Sequence, residues 1–277
     1  MTIWHKLERI DRRILFVLVA LSVIWASIRP MGLPLSVSPY TQMVFDQVEK
    51  LPKDAIVIMS PSYSPGSEAE LLPQTQGVAV HAMRKGAKML WVSLTADAPM
   101  YARKVMGLLA AEFKYEYGKD YIILPYKANE EASVSALGHD IRAMYKEDVD
   151  GKVLDQLPLW SRVKTIKDVS LVLDFDTGTT MLTYIRLLGA PHGVPISGGG
   201  TGVQVPTRAP YIQGGQLQGM LGGLRGAAEY EKLINVPGRA LAGMDAQSLT
   251  HAVVIIFIIL GNLGGWMIGK SQKGGRR

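Results

Sequence analysis

The stretch that most constrains this chain is Val169–Thr180, VSLVLDFDTGTT, in which an apolar run ends abruptly in polar residues. A single serine interrupts the apolar run, which is typical of a strand covered on both faces in a parallel sheet. Asp174 and Asp176 stand at the end of this strand, and Thr177 or Thr179 can cap the helix that follows. Because open α/β sheets bind ligands at this edge, the junction is a candidate site.

Strand-like and helix-like segments alternate along much of the remaining chain. Besides the strand at 169, short apolar runs predict strands at 55–59, 88–94, 121–124 and 193–196. Helical patterns lie between most of them, with short connections. Alternation of this kind implies βαβ units with right-handed crossovers. We therefore predict an α/β fold with a doubly wound, mostly parallel, Rossmann-like sheet.

Two apolar runs flank this domain. Ile14–Ile28 contains 15 residues without a charge, and Ala252–Gly269 contains 18. Lengths of this order predict transmembrane helices, over residues 14–30 and 251–269, on either side of a soluble domain at 31–250. A cleaved signal peptide is the alternative for the first run, and a buried core helix is the alternative for the second.

The positive charge lies at the two ends of the chain. The formal net charge is +6; residues 1–13 carry a net +2, Arg29 carries +1 and residues 270–277 carry +4, which leaves −1 for the rest. This balance argues against a nucleic-acid-binding domain. The positive-inside rule places both basic tails in the cytoplasm. The expectation is a two-pass protein of the cell membrane, in contact with the lipid bilayer, with its α/β domain on the extracytoplasmic side.

Polar residues at the predicted strand ends form a candidate ligand cleft. Its members are Ser60, Tyr63, Ser64, Glu68, Asp97, Asp174, Asp176, Thr177 and Thr179. A helix cap with a solvated turn explains the two aspartates equally well, and a carboxylate pair for metal binding or proton transfer is a further interpretation. The sequence DTGT at 176–179 matches the local signature of aspartic proteases, but the second copy that such enzymes need is missing. We assign no catalytic residue.

Metal and cofactor sites have little support in the sequence. The chain has no cysteine, and its five histidines lack metal-ligand spacing. The glycine-rich stretch 198–202, GGGTG, lacks the lysine of a P-loop and the spacing of a dinucleotide fingerprint. We predict a mobile loop there, no metal site and no cofactor, and leave open a small-molecule ligand.

Glycines at intervals of four residues occur in two further places. Such spacing on a helix leaves a face without side chains, and in lipid small residues allow close helix packing. A flexible loop is the alternative in the soluble domain; in the second span the alternatives are a lipid-facing helix with incidental glycines and packing on the first span. The candidate oligomer contacts are Gly215, Gly219 and Gly223 in the domain, and Gly261, Asn262, Gly265 and Gly269 in the span.

Three segments resemble a family of uncharacterised prokaryotic membrane-anchored proteins: SYSPGSEAELLPQ from residue 62, PYIQGGQLQGMLGGLRGAAEYE from residue 210 and DAQSLTH from residue 245. The resemblance implies the same layout, an anchored α/β domain, and brings no activity with it. The expected function is a scaffold or ligand-sensing subunit of a larger membrane assembly, as a homo-oligomer or with other membrane proteins. A solute-binding module and a membrane-anchored hydrolase are the alternatives.

Overall fold

The computed structural model describes residues 11–29, 34–236 and 238–274. The chain forms two compact units, Leu35–Ala240 and a helical unit made of Met1–Pro34 with Leu241–Arg277. Most of the predicted first basic tail, at 1–10, lies outside the described residues. So do residues 275–277 of the second tail and Pro30 at the end of the first predicted span.

The unit Leu35–Ala240 alternates strands and helices. The strands are β1 (Ile56–Ser62), β2 (Lys88–Trp91), β3 (Tyr121–Ile123), β4 (Val169–Asp176), β5 (Ile196–Gly200) and β6 (Met220–Gly222). The helices are α2 (Pro39–Glu49), α3 (Glu68–Arg84), α4 (Ala98–Phe113), α5 (Glu130–Met144), α6 (Pro158–Ser161), α7 (Thr180–Tyr184), α8 (Ala190–His192), α9 (Val205–Gln213) and α10 (Gly223–Leu233). A π-helical turn, Ile185–Gly189, joins α7 to α8.

The strands form one six-stranded sheet in the order β3-β2-β1-β4-β5-β6, with every neighbouring pair parallel. This is the doubly wound order, in which the chain fills one half of the sheet from β1 outwards and then returns to begin the other half at β4. The predicted α/β class is confirmed. The register places Ser60 opposite Asp174 and Ser62 opposite Asp176.

Both faces of the sheet are covered, which explains the nearly continuous apolar strands. One core layer contains Val57 and Leu171 and lies under α2, α3, α4 and α10. The other contains Ile58 and Val172 and lies under α5, α7 and α9. Alternate residues of each strand therefore enter different layers, and polar residues at strand ends are enclosed along with their apolar neighbours.

A fifth strand is present, but its predicted bounds of 193–196 were wrong, and so was the mobile loop predicted at 198–200. The strand starts at Ile196 and includes Gly198, Gly199 and Gly200, which are buried, so they are not part of a mobile loop. A Cβ at Gly198 would overlap the carbonyl oxygen of Asp174, and one at Gly199 would overlap the side chain of Gln74 on α3. The glycines allow β4 and α3 to approach β5 closely. Helix α9 and strand β6, which follow, were not predicted.

The glycines between 215 and 223 do not share a helical face. Gly215 lies in a turn with φ +71°, Gly219 precedes β6, and Gly223 is the first residue of α10. A Cβ at Gly219 would lie 2.7 Å from Val44 N on α2. Substitution of Gly219 therefore tests packing within the domain, and an oligomer contact through this segment stays a prediction.

The helical unit contains α1 (Arg12–Ile28) and most of α11 (Arg239–Gly274). Within it, Ser22 Oγ on α1 lies 3.3 Å from Thr250 Oγ1 on α11. Among the described residues, only the segment Arg239–Met267 of α11 is long and apolar enough to cross a membrane, and α1 is apolar but shorter. Few side chains of that segment are buried, which argues against the alternative of a core helix.

The glycine requirement in β5 gives a stability prediction. Gly198 has φ +148° and no room for a Cβ, whereas nothing lies within 4 Å of a Cβ added at Gly178 in the loop after β4. We expect Gly198→Ala to lower the free energy of unfolding by about 3 kcal/mol or more, and Gly178→Ala to change it by less than about 1 kcal/mol. Urea unfolding followed by tryptophan fluorescence measures both. Equal stability of the two variants would contradict this account of the glycines.

Candidate functional site

The carboxyl ends of β1 and β4 lie side by side at the point where the strand order reverses. In doubly wound sheets the crossovers on either side of this point leave in opposite directions, which opens a crevice beyond the strand ends. Ser60 and Ser62 on β1, together with Asp174 and Asp176 on β4, occupy this position. All four are buried. We call them, together with Tyr184, Gln204, Arg208 and Glu130, the switch-point cluster.

Hydroxyl groups connect Tyr184 to Asp174 through the interior. Tyr184 on α7 donates its hydroxyl proton to Ser60 Oγ at 3.2 Å, and Ser60 Oγ lies 2.9 Å from Ser62 Oγ. Ser62 in turn donates to Asp174 Oδ1 at 2.9 Å. Asp174 Oδ2 is buried and has no hydrogen-bond partner in the described chain. The result is a line of three hydroxyls that ends on a carboxyl with one unused oxygen.

Asp176 is held by two other elements. Its Oδ2 accepts a hydrogen bond from Met181 N, in the first turn of α7, at 3.2 Å. Thr179 occupies the N-cap position of α7, as one of our two predictions had it, but its side chain makes no capping hydrogen bond. Arg208 Nη2 on α9 forms a buried ion pair with Asp176 Oδ2 at 3.1 Å. Arg208 Nη2 also donates to Gly178 O, at 2.6 Å. Arg208 Nε is buried and has no partner among the described residues.

Gln204 and Glu130 complete the cluster. Gln204 Nε2 donates to Gly178 O at 3.2 Å and lies 3.4 Å from Asp176 Oδ1. Glu130 begins α5 and accepts hydrogen bonds from the hydroxyls of Thr180, at 2.8 Å, and Thr183, at 2.5 Å. The cluster thus contains three carboxyl groups and one guanidinium.

Burial, together with this imbalance of charge, shifts the pKa values of both aspartates. Burial raises the pKa of Asp174 well above its ordinary value, and the nearby Asp176 raises it further, against the hydrogen bond from Ser62. Burial also raises the pKa of Asp176, to about 6, although Arg208 favours the charged form. Asp174 is therefore a neutral acid that can donate a hydrogen bond, and Asp176 gains or loses its proton close to neutral pH.

Two of the remaining predicted residues, Tyr63 and Glu68, do not join this cluster. Tyr63 packs in the core layer on the other face of the sheet, with its ring centroid 4.2 Å from that of Tyr101. Glu68 approaches the Tyr101 hydroxyl at 3.5 Å and pairs with Lys104. The predicted single cleft is thus two separate groups of residues at the same edge.

Of the last four members of the predicted set, only Thr179 contacts the cluster. Asp97 precedes the first residue of α4, and Ser64 precedes a short 3-10 turn. Thr177 is exposed, and Thr179 lies 3.4 Å from Glu130 through its hydroxyl. No group of three or more His, Asp or Glu side chains in the described parts of the chain has the geometry to hold a metal ion.

Comparison with known proteins adds no assignment. The sequence matches no protein-family model and no curated protein. The interpretation of the cluster therefore depends on its geometry.

The raised pKa values predict how stability depends on pH. An aspartate whose folded pKa exceeds its unfolded value stabilises the fold at low pH, and this contribution is lost as the pH rises through the folded pKa. Asp174→Asn keeps a neutral side chain at every pH. We expect it to gain stability relative to the wild type as the pH rises from 4 to 7.5, by at least about 1 kcal/mol.

Melting temperatures of both proteins in lipid nanodiscs, measured across this pH range, test the prediction. The comparison with the wild type is needed because other groups also make stability depend on pH. Burial opposes the charged form of Asp120, but Lys88 nevertheless lowers its pKa, so Asp120 makes the fold more stable as the pH rises. This contribution is present in both proteins and cancels in their difference. Asp176→Asn should be less stable than the wild type at pH 7.5, by about 3 kcal/mol, because it leaves Arg208 buried without its carboxylate. A constant difference between Asp174→Asn and the wild type would refute the assigned protonation.

Proposed function

We propose that this protein is a membrane-anchored, ligand-sensing subunit whose ligand site is the switch-point cluster. One observation carries the proposal: Asp174 Oδ2 and Arg208 Nε are both buried, and no described residue uses their hydrogen-bonding capacity. Buried polar atoms in folded proteins are nearly always paired. Their position at the strand-order reversal, where doubly wound sheets bind ligands, supports a binding role.

The ligand is a small polar molecule that accepts a hydrogen bond. A neutral Asp174 and the Nε–H group of Arg208 both offer donors to it. The ligand reaches the cluster by displacement of α9, because Arg208 and Gln204 both lie at its start and cover Asp176. The turn before α9 is exposed, with 83% of Val203 accessible. Displacement of this segment would therefore break few contacts with the rest of the domain.

A hydrolase is the second candidate, and a separate observation favours it. Asp176 changes protonation at about pH 6 beside a second carboxyl that stays neutral, an arrangement suited to general acid and base catalysis. Both candidates use the same residues, but only the hydrolase would convert the ligand.

In this proposal α1 and α11 both cross the membrane, the tails are cytoplasmic and the α/β unit is extracytoplasmic. The exposed apolar side chains of both helices support it, as in Phe16 and Trp25 of α1 and Ile255 of α11. The hydrogen-bonding distance between Ser22 and Thr250 supports pairing of the two helices. The basic residues at both ends of the chain support the orientation.

The subunit also assembles, in this proposal, with copies of itself or with other membrane proteins through α11. A Cβ added at Gly261 or Gly265 would meet no atom of the described residues within 4 Å, so the chain's own α1 does not fill this groove. Asn262 is exposed beside it and donates to Ile258 O at 2.9 Å. A polar side chain in lipid favours a protein partner.

The ligand proposal is tested by releasing bound small molecules from the full chain. We expect protein purified in native lipid particles to yield a stoichiometric small molecule by mass spectrometry after denaturation. The variant Asp174→Leu should lose at least about 90% of it, because leucine has about the same size as the acid but offers the ligand no hydrogen-bond donor. The double variant Asp174→Leu with Asp176→Asn should lose all of it.

Asp97→Asn is the control, since this carboxyl lies at the same sheet edge outside the cluster. The Asp97→Asn variant should release the same amount of the small molecule as the wild type. Equal retention by Asp174→Leu, shown to be folded by its melting temperature, would refute the binding role. Chemical conversion of the released compound by wild-type protein would favour the hydrolase.

The assembly proposal is tested by filling the groove on α11. Gly265→Leu should reduce the mass of the particle, measured by light scattering or mass photometry in detergent-free particles, because leucine prevents close backbone approach. Ile259→Leu, at an exposed position of the same helix, should leave the mass unchanged. A monomeric wild type, or an unchanged mass for Gly265→Leu, would contradict the prediction.

A further inference from the structure

A cavity of about 510 Å³ lies beside the edge strand β6, apart from the switch-point cluster. Its size falls within the usual range for small-molecule sites. Apolar groups line most of it: the ring of Tyr40, Pro39, Val205 and Met220. Gly222 and Gly226 add surface without side chains. We call this cavity the β6 groove.

Neither of these positions has free room for a side chain, and at Gly226 the obstacle is backbone. A Cβ at Gly222 would lie 2.5 Å from Val205, and a Cβ at Gly226 would lie 2.8 Å from the backbone of Leu221. The first turn of α10 therefore packs directly on β6, which brings the Arg225 backbone close to the groove. Close backbone packing between α10 and β6 thus sets part of the wall of the cavity.

The polar end of the groove consists of Arg225 and Glu229, one turn apart on α10. Glu229 is buried, and its acceptor capacity is largely used. Its Oε1 accepts from Arg225 Nε at 2.8 Å, and its Oε2 accepts from Ser38 N at 3.0 Å and from the Thr41 hydroxyl at 2.7 Å. Glu229 therefore anchors the start of α2 and leaves little capacity to accept from a ligand.

Arg225, in contrast, retains unused donors. Its Nη2 makes one long contact, 3.4 Å to Ser36 Oγ, and its Nη1 has no hydrogen-bond partner among the residues that the structure describes. The side chain is 58% exposed. A guanidinium of this kind binds carboxylates through paired N–H groups. The groove thus offers donors at one end and an apolar wall along the rest.

We infer that the β6 groove binds a small organic acid, with its carboxylate on Arg225 and its apolar body against Tyr40 and Met220. Charge complementarity selects the acid, because the other charged group, Glu229, is already satisfied within the chain. This inference does not depend on the proposed role of the switch-point cluster. The two sites share only α9, whose first residue, Val205, lines the groove directly after Gln204.

A pair of probes that differ in charge tests the inference. We use 3-phenylpropionate and its neutral amide, 3-phenylpropanamide, and measure binding to the full chain in nanodiscs by ligand-observed NMR, with empty nanodiscs as the blank. The acid should bind the wild type at least about tenfold more tightly than the amide, because a charge-assisted hydrogen bond is stronger than a neutral one. Arg225→Gln should remove this preference and leave amide binding unchanged.

Arg186→Gln is the matched control. Arg186 is 59% exposed and pairs with Glu131, much as Arg225 pairs with Glu229, but it lies outside the groove. The Arg186→Gln variant should keep the wild-type preference for the acid over the amide. Val205→Phe is a second variant in case Arg225→Gln, which leaves Glu229 without its cation, does not fold. The larger ring should fill the groove and weaken both probes at least about tenfold.

Three results would overturn the inference: equal affinity of the wild type for acid and amide, an unchanged preference in folded Arg225→Gln, or unchanged binding in folded Val205→Phe. A phospholipid that is released stoichiometrically from the purified wild type and not from Val205→Phe would also overturn it, since the groove would then hold lipid. The Asp174→Asn variant should bind the acid like the wild type, which separates this site from the switch-point cluster.

Discussion

Two carboxyl groups are buried at the end of β4, and one guanidinium is the only cation that pairs with either of them among the described residues. Burying a charge is costly unless partners compensate it, and this cost organises the whole edge of the sheet. Arg208 is buried in the interior, Asp176 accepts from Met181 N in the first turn of α7, and Gly178 O accepts from Arg208. Asp174 avoids the cost by staying protonated, at the end of a line of buried hydroxyls.

The glycines of β5 make this arrangement sterically possible. Without side chains, the strand lets Gln74 of α3 reach across it, where Nε2 donates to Gly200 O at 3.0 Å and to Gly223 O at 2.9 Å. One side chain thereby connects the sheet to the start of α10. Because α10 is held there, its first turn lines the β6 groove, and the two candidate sites depend on the same close packing around β5.

The sequence predicted part of the switch-point cluster for a sound reason. Aspartates and a serine at the ends of apolar strands meet at one edge of a parallel sheet, so Ser60, Asp174 and Asp176 could be placed together. Arg208 and Glu130 could not, because they are 32 and 44 residues away from Asp176 and Asp174, and only the crossovers bring them to β4. The same limit explains why Tyr63 and Glu68 were grouped with them: sequence shows which edge a residue reaches, but not which face of the sheet it joins.

By itself the sequence determined the α/β class, most strand and helix positions, the charge at the ends and the apolar character of α1 and α11, because these depend on local periodicity and composition. The tertiary structure alone decided that GGG is a buried strand, that Gly219 packs on α2 and that Arg208 pairs with Asp176 in the interior. Each of these depends on contacts between distant parts of the chain. Glycine shows the difference most directly, because the same residue favours a loop when read locally and permits the tightest packing in the core when neighbouring elements approach it.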